Sequence, residues 1–530
     1  PAPAPDVCGA GESCSAGAAE AAQEPRPGQY HWPHARGRVG RYSVSPHAGP
    51  WNLSAAHSWS WHHPEGRYHM VVIGGALLDD KLNIYLASED GYRKFSLDGQ
   101  VLWAFRPSAK VDVAPSLMDG VLYGAIVSGD VLALSMETGR LLWSVDTSNC
   151  IGGDTSYVEA HAGFVVAAVD CGSPADPSGG NKRLVGLNAS NGRVLWSFRP
   201  DAPVWNFMAV FEDEGGSFIF QDYDSGVYRV RLADGALLWR AGRKGGHTWT
   251  DGGAILGENG VVYAVSTAGE QSKVHPDLPG GLHAYRLADG SLLWERALPH
   301  PAYTWPVVGR LGSGRRLSVV TGIGAMAAFP WKMLYQGLLL PNGILGLLCG
   351  LLWALLRCCR GGLWACGARA ARGCGLGCLL GPWLMLLVWG LHFSTRTKPL
   401  ALGPVLPTEV WALDAETGEL QWRVELPVWR RYASAGDEEG YFTRQQRGTR
   451  YICLPAAFSS PTLDAAGTVY IGHMSGAFYA IRDGDGDGAI DPSTEVSVLE
   501  TGTAFLHPGP ALGPGLLAVA NCDTLHVFRH

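Results

Sequence analysis

The chain has 530 residues, of which 47 % are apolar and 17 % charged, with 71 Gly and 20 Trp. Its 41 basic and 48 acidic groups leave a net charge of −7, which argues against a nucleic-acid binder, since those carry a basic excess on one face. A chain this apolar is not disordered in bulk, and so much Gly suits tight β-turns with positive φ better than helical bundles.

In chain order, residues 1–45 are rich in Pro, Ala, Gly and Glu without a hydrophobic period and read as a flexible tail. Seven His between His31 and His69 lack metal-ligand spacing and read as surface residues. One pattern then repeats: Leu134-Ser-Met-Glu-Thr-Gly139-Arg-Leu-Leu-Trp143, Leu187-Asn-Ala-Ser-Asn-Gly192-Arg-Val-Leu-Trp196 and Leu413-Asp-Ala-Glu-Thr-Gly418-Glu-Leu-Gln-Trp422. Shorter copies end at Trp103, Trp239 and Trp294, and in all six the Trp stands four residues after a Gly. An alternating strand runs into an acid- or amide-capped turn, Gly takes the left-handed position, and a second strand carries Trp inward. Another strand with its own turn precedes several copies, as at Val121-Leu-Tyr123, so each unit holds about four strands. From Trp103 to Trp294 the spacings are 40, 53, 43 and 55 residues, the period of propeller blades.

The run Leu-Asp-x-x-Thr-Gly-x-x-x-Trp resembles the tryptophan-docking motif of the pyrroloquinoline-quinone (PQQ) repeat family. The resemblance implies an all-β, eight-bladed β-propeller with four-stranded antiparallel blades, in which Trp103, Trp143, Trp196, Trp239, Trp294 and Trp422 each pack between one blade and the next. A seventh unit spans about 452–505. The eighth is half present around 515–528, and Leu53–Trp61 is expected to supply its outer strand, so that the N-terminal region closes the ring.

Between Trp294 and Trp422 lie 128 residues, some 75 too many for a blade. Segments 333–356 and 374–393 are nearly free of charge, and the second is long enough as a helix to cross a bilayer. The expected organisation is a tail (1–45), propeller (46–327), two-helix transmembrane hairpin (328–404) interrupting blade six, and propeller again (405–530). Arg357, Arg360, Arg369 and Arg372 link the two spans, which by the positive-inside rule puts the link in the cytoplasm and the propeller on the lumenal or extracellular side, with membrane lipid as a partner. The insertion replaces a turn between second and third strands, as do 172–183 and 268–281, so all three are expected on one face, against the bilayer. Two sequons, at Asn52 and Asn188, agree with the external side, and the Cys358-Cys359 pair is a candidate for palmitoylation. Six of the twelve Cys lie at 349–378, and the other six, Cys8, Cys14, Cys150, Cys171, Cys453 and Cys522, suit either three disulfides or buried thiols.

The sharpest site is Asp483-Gly-Asp485-Gly-Asp487-Gly-Ala489-Ile-Asp491. Carboxylates at positions 1, 3, 5 and 9 with Gly at 6 match a calcium loop, and the Ala489 carbonyl is the expected fifth ligand. It resembles the hairpin loops of integrin-type propellers and is expected to stiffen a blade on the face away from the insertion. Two functions compete. One is a non-catalytic, membrane-anchored binding or assembly scaffold with a protein partner. The alternative is a quinoprotein dehydrogenase using PQQ and calcium on an alcohol or sugar. The resemblance implies adjacent cysteines at the quinone, and the one adjacent pair, Cys358-Cys359, lies in the insertion. No catalytic residue is identifiable, which favours the scaffold.

Overall fold

The structure, a computed structural model, describes residues 29–151, 156–171, 180–212, 216–242, 248–269, 278–311, 316–327, 405–431, 433–453 and 455–530. Eight antiparallel sheets follow one another along the chain: blade one at 72–105, two at 116–146, three at 156–198, four at 210–241, five at 248–298, six at 307–429, seven at 462–500 and eight from 511 onward. Burial follows strand position. In blade one the first strand, Val72–Leu78, is wholly buried, whereas the outermost, Val101–Phe105, is exposed or half-buried throughout. Apolar and β-branched sequences such as Val-Ile-Gly-Gly-Ala-Leu-Leu therefore fill the inner layer, where both faces meet a neighbouring sheet.

The repeated turn has one geometry. Gly139 sits at φ +69°, and the register slips by one residue just before the turn, between Ala133 and Leu134. The same slip recurs in blades one, three, four, five and six. This bulge tightens the twist and aims the following Trp at the neighbouring blade.

Blade eight is completed by the strand His57–His62, which pairs antiparallel with Thr524–Arg529. The chain thus closes its own ring and leaves no open gap between first and last blades. The expected closing strand is shorter at its start: Leu53–Ala56 forms a single helical turn, α1, capped by Asn52 Oδ1, which accepts from the Ala55 amide at 3.0 Å.

The expectation of a flexible tail to residue 45 needs correction from residue 29 onward; residues 1–28 lie outside the described residues. Trp32 exchanges backbone hydrogen bonds with Leu78 of blade one, and the Pro33 carbonyl accepts from Leu117 of blade two. His34 meets Glu159 of blade three, Tyr42 donates to the Phe211 carbonyl of blade four, Val44 bridges Leu463 of blade seven, and Ser45 reaches Leu512 of blade eight. A segment that touches the inner strands of so many blades runs across the axis of the ring. Arg36, fully buried within it, lies 5.6 Å over the Trp305 ring, and burial lowers its pKa to about 9. Surface positions are likewise corrected for His34 and His63, which are buried.

A helix, α2 (Asp437–Gln446), lies in the connection from blade six to seven. Its fully buried Arg444 donates to Asp437 at 3.0 Å and to the Gly436 and Tyr451 carbonyls, which pins both ends of the helix.

The expected integral-membrane placement is corrected. Among the described residues no helix is long and apolar enough to cross a membrane, and α1 and α2 have four and ten residues. The two expected spans, with their Arg link and Cys358-Cys359, lie outside the described residues, so no described element carries the orientation or the lipid contact expected with them. Blade six itself is complete: strands Arg316–Gly324 and Leu406–Asp414 pair in register across the insertion. The three long excursions all join second to third strands, so they leave from the face opposite the third-to-fourth turns.

Candidate functional site

The repeated Trp residues join blade to blade. Trp103 Nε1 donates to the Met136 carbonyl at 3.0 Å, Trp143 to Ala189 at 3.0 Å, Trp196 to Leu232 at 2.7 Å, Trp239 to Leu287 at 2.8 Å and Trp294 to Ala415 at 3.1 Å. Each indole lies on the turn glycine of the following blade; a Cβ on Gly139 would come within 2.7 Å of the Trp103 ring. That glycine is required twice, by its φ and by the ring above it. Trp59, not assigned this role from sequence, does the same from the closing strand, donating to Leu97 at 3.0 Å with its ring on Gly99. Its signal was the Trp59-Ser-Trp61 alternation. Trp422 is buried, but its Nε1 forms no hydrogen bond to blade seven among the described residues.

The loop 482–495 occupies the third-to-fourth turn of blade seven, where Trp422 would find its docking turn. Ile490 joins the same apolar cluster as Trp422. Asp483, Asp485 and Asp487 converge, each offering a carboxylate oxygen within 4.8 Å of the others. Asp483 accepts from the Gly486 and Gly488 amides at 2.7 and 3.2 Å, and Asp487 from Ala489 at 2.8 Å. The Asp491 carboxylate is not part of that cluster. Asp491 turns onto Ser493 and Thr494, and hydrogen bonds from Ser493 hold its carboxyl below the usual range. Glu495, one place beyond the twelfth position of a calcium loop in the sequence, turns back onto the loop. Its carboxylate accepts from Gly484 at 2.5 Å and Asp491 at 2.9 Å, and these amide bonds lower its pKa.

Cys150 pairs with Cys171 and Cys453 with Cys522, separated by 21 and 69 residues, so neither disulfide joins adjacent cysteines; Cys8 and Cys14 lie outside the described residues. Trp32, Arg36 and Tyr157 are fully buried, with Tyr157 edge-on to Trp305 at 5.7 Å. Sequence reasoning also missed a buried acid. Asp251 is 2 % exposed beside Trp249 and Tyr303, whose rings lie 4.8 Å apart, and burial pushes its carboxyl up to about 7. No motif marks Asp251; only the fold brings it under cover.

Repeated four-stranded blades, a docked indole at six junctions and a self-closing ring define an eight-bladed β-propeller. Residues 175–329 match the family described as outer membrane protein assembly factor BamB. An outer membrane protein assembly factor BamB from Nitrosomonas eutropha is 27 % identical over 163 residues, which is 29 % of this chain and 36 % of that relative's own length. Among solved structures, BamB from Moraxella catarrhalis aligns with 89 % of this chain and 99 % of its own, at a TM-score of 0.50 and 11 % identity. Quinohemoprotein alcohol dehydrogenase from Comamonas testosteroni aligns with 94 % of this chain and 80 % of its own, at a TM-score of 0.54 and 10 % identity. At these identities the two structures attest the fold, which a dehydrogenase shares with an assembly factor.

Proposed function

We propose that this chain is a protein-binding assembly scaffold. The observation that carries the reading is an apolar belt on the rim. The outer strands of blades one to six begin with exposed apolar residues, among them Leu102, Leu142, Leu195, Leu238, Leu293 and Leu420, each 37–50 % exposed. They stand beside the third-to-fourth turns, on the face away from the insertion. Blade eight breaks the belt, since its outer strand turns Ser58, Ser60 and His62 outward. Exposed apolar residues recurring at the same place on six blades support an interaction surface, and the name of the Nitrosomonas relative supports assembly as its use. The net charge of −7 favours a protein partner over a nucleic acid. Calcium at Asp483, Asp485 and Asp487 is part of the proposal, as a structural ion.

The test places a photo-crosslinking residue at Leu195 and at Ser60. A discrete crosslinked partner is expected from Leu195 alone, and Leu142→Asp with Leu238→Asp should abolish it without lowering the melting temperature. A crosslink indifferent to these charges would sink the scaffold reading. The dehydrogenase alternative is separated by adding PQQ: no change in absorption and no dye-linked alcohol oxidation are expected, whereas either signal would favour the enzyme.

A further inference from the structure

Blade five carries three chemically ordered side chains on one face. Ser266 stands on the second strand opposite Gly281, His283 on the third strand two residues beyond that glycine, and Glu295 on the fourth strand directly opposite His283. Side chains two apart on a strand, and those directly opposite across a ladder, share a face, so the three point the same way. Ser266 Oγ lies 2.9 Å from His283 Nε2, and His283 Nδ1 lies 3.7 Å from a Glu295 carboxylate oxygen. The two ring nitrogens thus face the two partners in the order that a serine nucleophile requires: hydroxyl on one, acid on the other. All three line a cleft of about 500 Å³ between blades four and five. Gly281 opens that cleft at the hydrogen bond itself, since a Cβ there would stand 3.0 Å from His283 Nε2 and 3.1 Å from Ser266 Oγ. The remaining wall sets small residues, Ala241, Ala268 and Ala297 among them, beside the larger Tyr285, Leu292 and Arg296.

We infer that Ser266, His283 and Glu295 form a nucleophilic acyl-transfer site for short-chain acyl esters. Ser266 Oγ bonds to the acyl carbon while its proton passes to His283 Nε2, and Glu295 steadies the imidazolium through the Nδ1 proton. The ester C–O bond breaks, and the leaving alkoxide takes the proton back from Nε2. Water, deprotonated by the same nitrogen, then cleaves the acyl-serine to release the carboxylic acid and restore the hydroxyl. The short acyl chain is set by the small wall residues, and Glu295, 55 % exposed, contributes less than a buried acid would.

The test treats the full chain with a fluorophosphonate probe and with p-nitrophenyl butyrate. A single adduct is expected on the peptide carrying Ser266, with ester turnover lost in Ser266→Ala. His283→Gln should slow labelling about 100-fold and Glu295→Gln, a change on an exposed side chain, about threefold. Gly281→Ala should block the adduct while leaving the melting temperature unchanged. No adduct on Ser266, or labelling equally fast in both His283→Gln and Glu295→Gln, overturns the inference. The rim crosslink in Ser266→Ala stays intact under either result, so this site and the scaffold reading fail separately.

Discussion

Two arcs of the ring are joined by different chemistry. From blade eight through blade one to blade six, each junction has one indole hydrogen-bonded across to the next blade's turn and resting on its glycine. From blade six through seven to eight, no junction does so among the described residues. There Trp422 is buried without a bond across among the described residues, and the acidic loop stands in place of the docking turn. Arg482 lies 5.0 Å over the Trp51 ring, and the Leu53 amide donates to Ser497 across the seven–eight junction. The Cys453–Cys522 disulfide ties the connection before blade seven to a turn of blade eight, and Arg67 pairs with buried Asp523 at 3.0 Å. A repeated junction needs one solution copied; the seam, where the chain's beginning and end meet, needs covalent and ionic links gathered from distant residues.

The largest expected effect therefore comes from opening the seam. The Cys453–Cys522 link closes a loop of 69 residues, and Cys453→Ser with Cys522→Ser should lower stability by about 4 kcal/mol. Denaturant unfolding, read against Cys150→Ser with Cys171→Ser and its 21-residue loop, checks this. Equal losses would mean that the seam is no more dependent on its disulfide than blade three.

Acid should separate the arcs next. Burial pushes His473, His507 and His526 of blades seven and eight down to about 3. The unfolded chain takes up these protons near pH 6.5 and the folded one refuses them, so stability is lost as pH falls from about 6.5 toward 3. Glu438, raised to about 7 in α2, offsets part of this. In blades four and five the sign reverses: Asp222 and Asp251 are raised to about 6 and 7, so the folded state holds protons longer and this arc gains stability as pH falls from about 7 toward 4. Hydrogen exchange at pH 7 and pH 5 should show the seam losing protection, by on the order of 3 kcal/mol, while blade five gains. Uniform change around the ring would remove the contrast.

The junctions themselves give a smaller difference. Trp143→Phe loses both indole area and the bond to the Ala189 carbonyl, for about 2 kcal/mol, whereas Trp422→Phe loses area alone, for about 1 kcal/mol. Equal losses in chemical denaturation would show that the bonded indole adds nothing.

What the sequence discloses follows the same division. The stitched arc was legible because one local pattern of Gly and Trp recurs, and even Leu53–Trp61 could be assigned to the ring from its alternation. The axial segment was not, because Trp32, Arg36 and Tyr42 sit among Pro and Gly with strands only two residues long; their partners are other blades, which no local period reveals. Nor was α2, whose buried face consists of Asp437, Gly440 and Arg444 and not an apolar stripe. At the acidic loop, spacing points to Asp483, Asp485, Asp487 and Asp491; the first three converge, whereas Asp491 accepts from Ser493 and Thr494 and Glu495 takes the loop amides, an arrangement that spacing alone does not give. The Ser266, His283 and Glu295 set has no sequence signature, since strand pairing alone assembles it.

The smallest effect tests what the acidic loop does for the seam. Without an ion, three converging carboxylates repel one another and are held by their own turn amides, so Asp485→Ala in calcium-free buffer should change stability by less than about 0.5 kcal/mol. Calcium at ten times its dissociation constant should then stabilise the native chain by about 1.4 kcal/mol and leave Asp485→Ala unmoved. Because Ile490 joins the loop to the apolar cluster around Trp422, the added protection should appear at the six–seven junction and not at Trp143. Calorimetry without a calcium heat would remove the ion. A heat with protection spread evenly over the ring would keep the ion but deny that it substitutes for the missing indole bond.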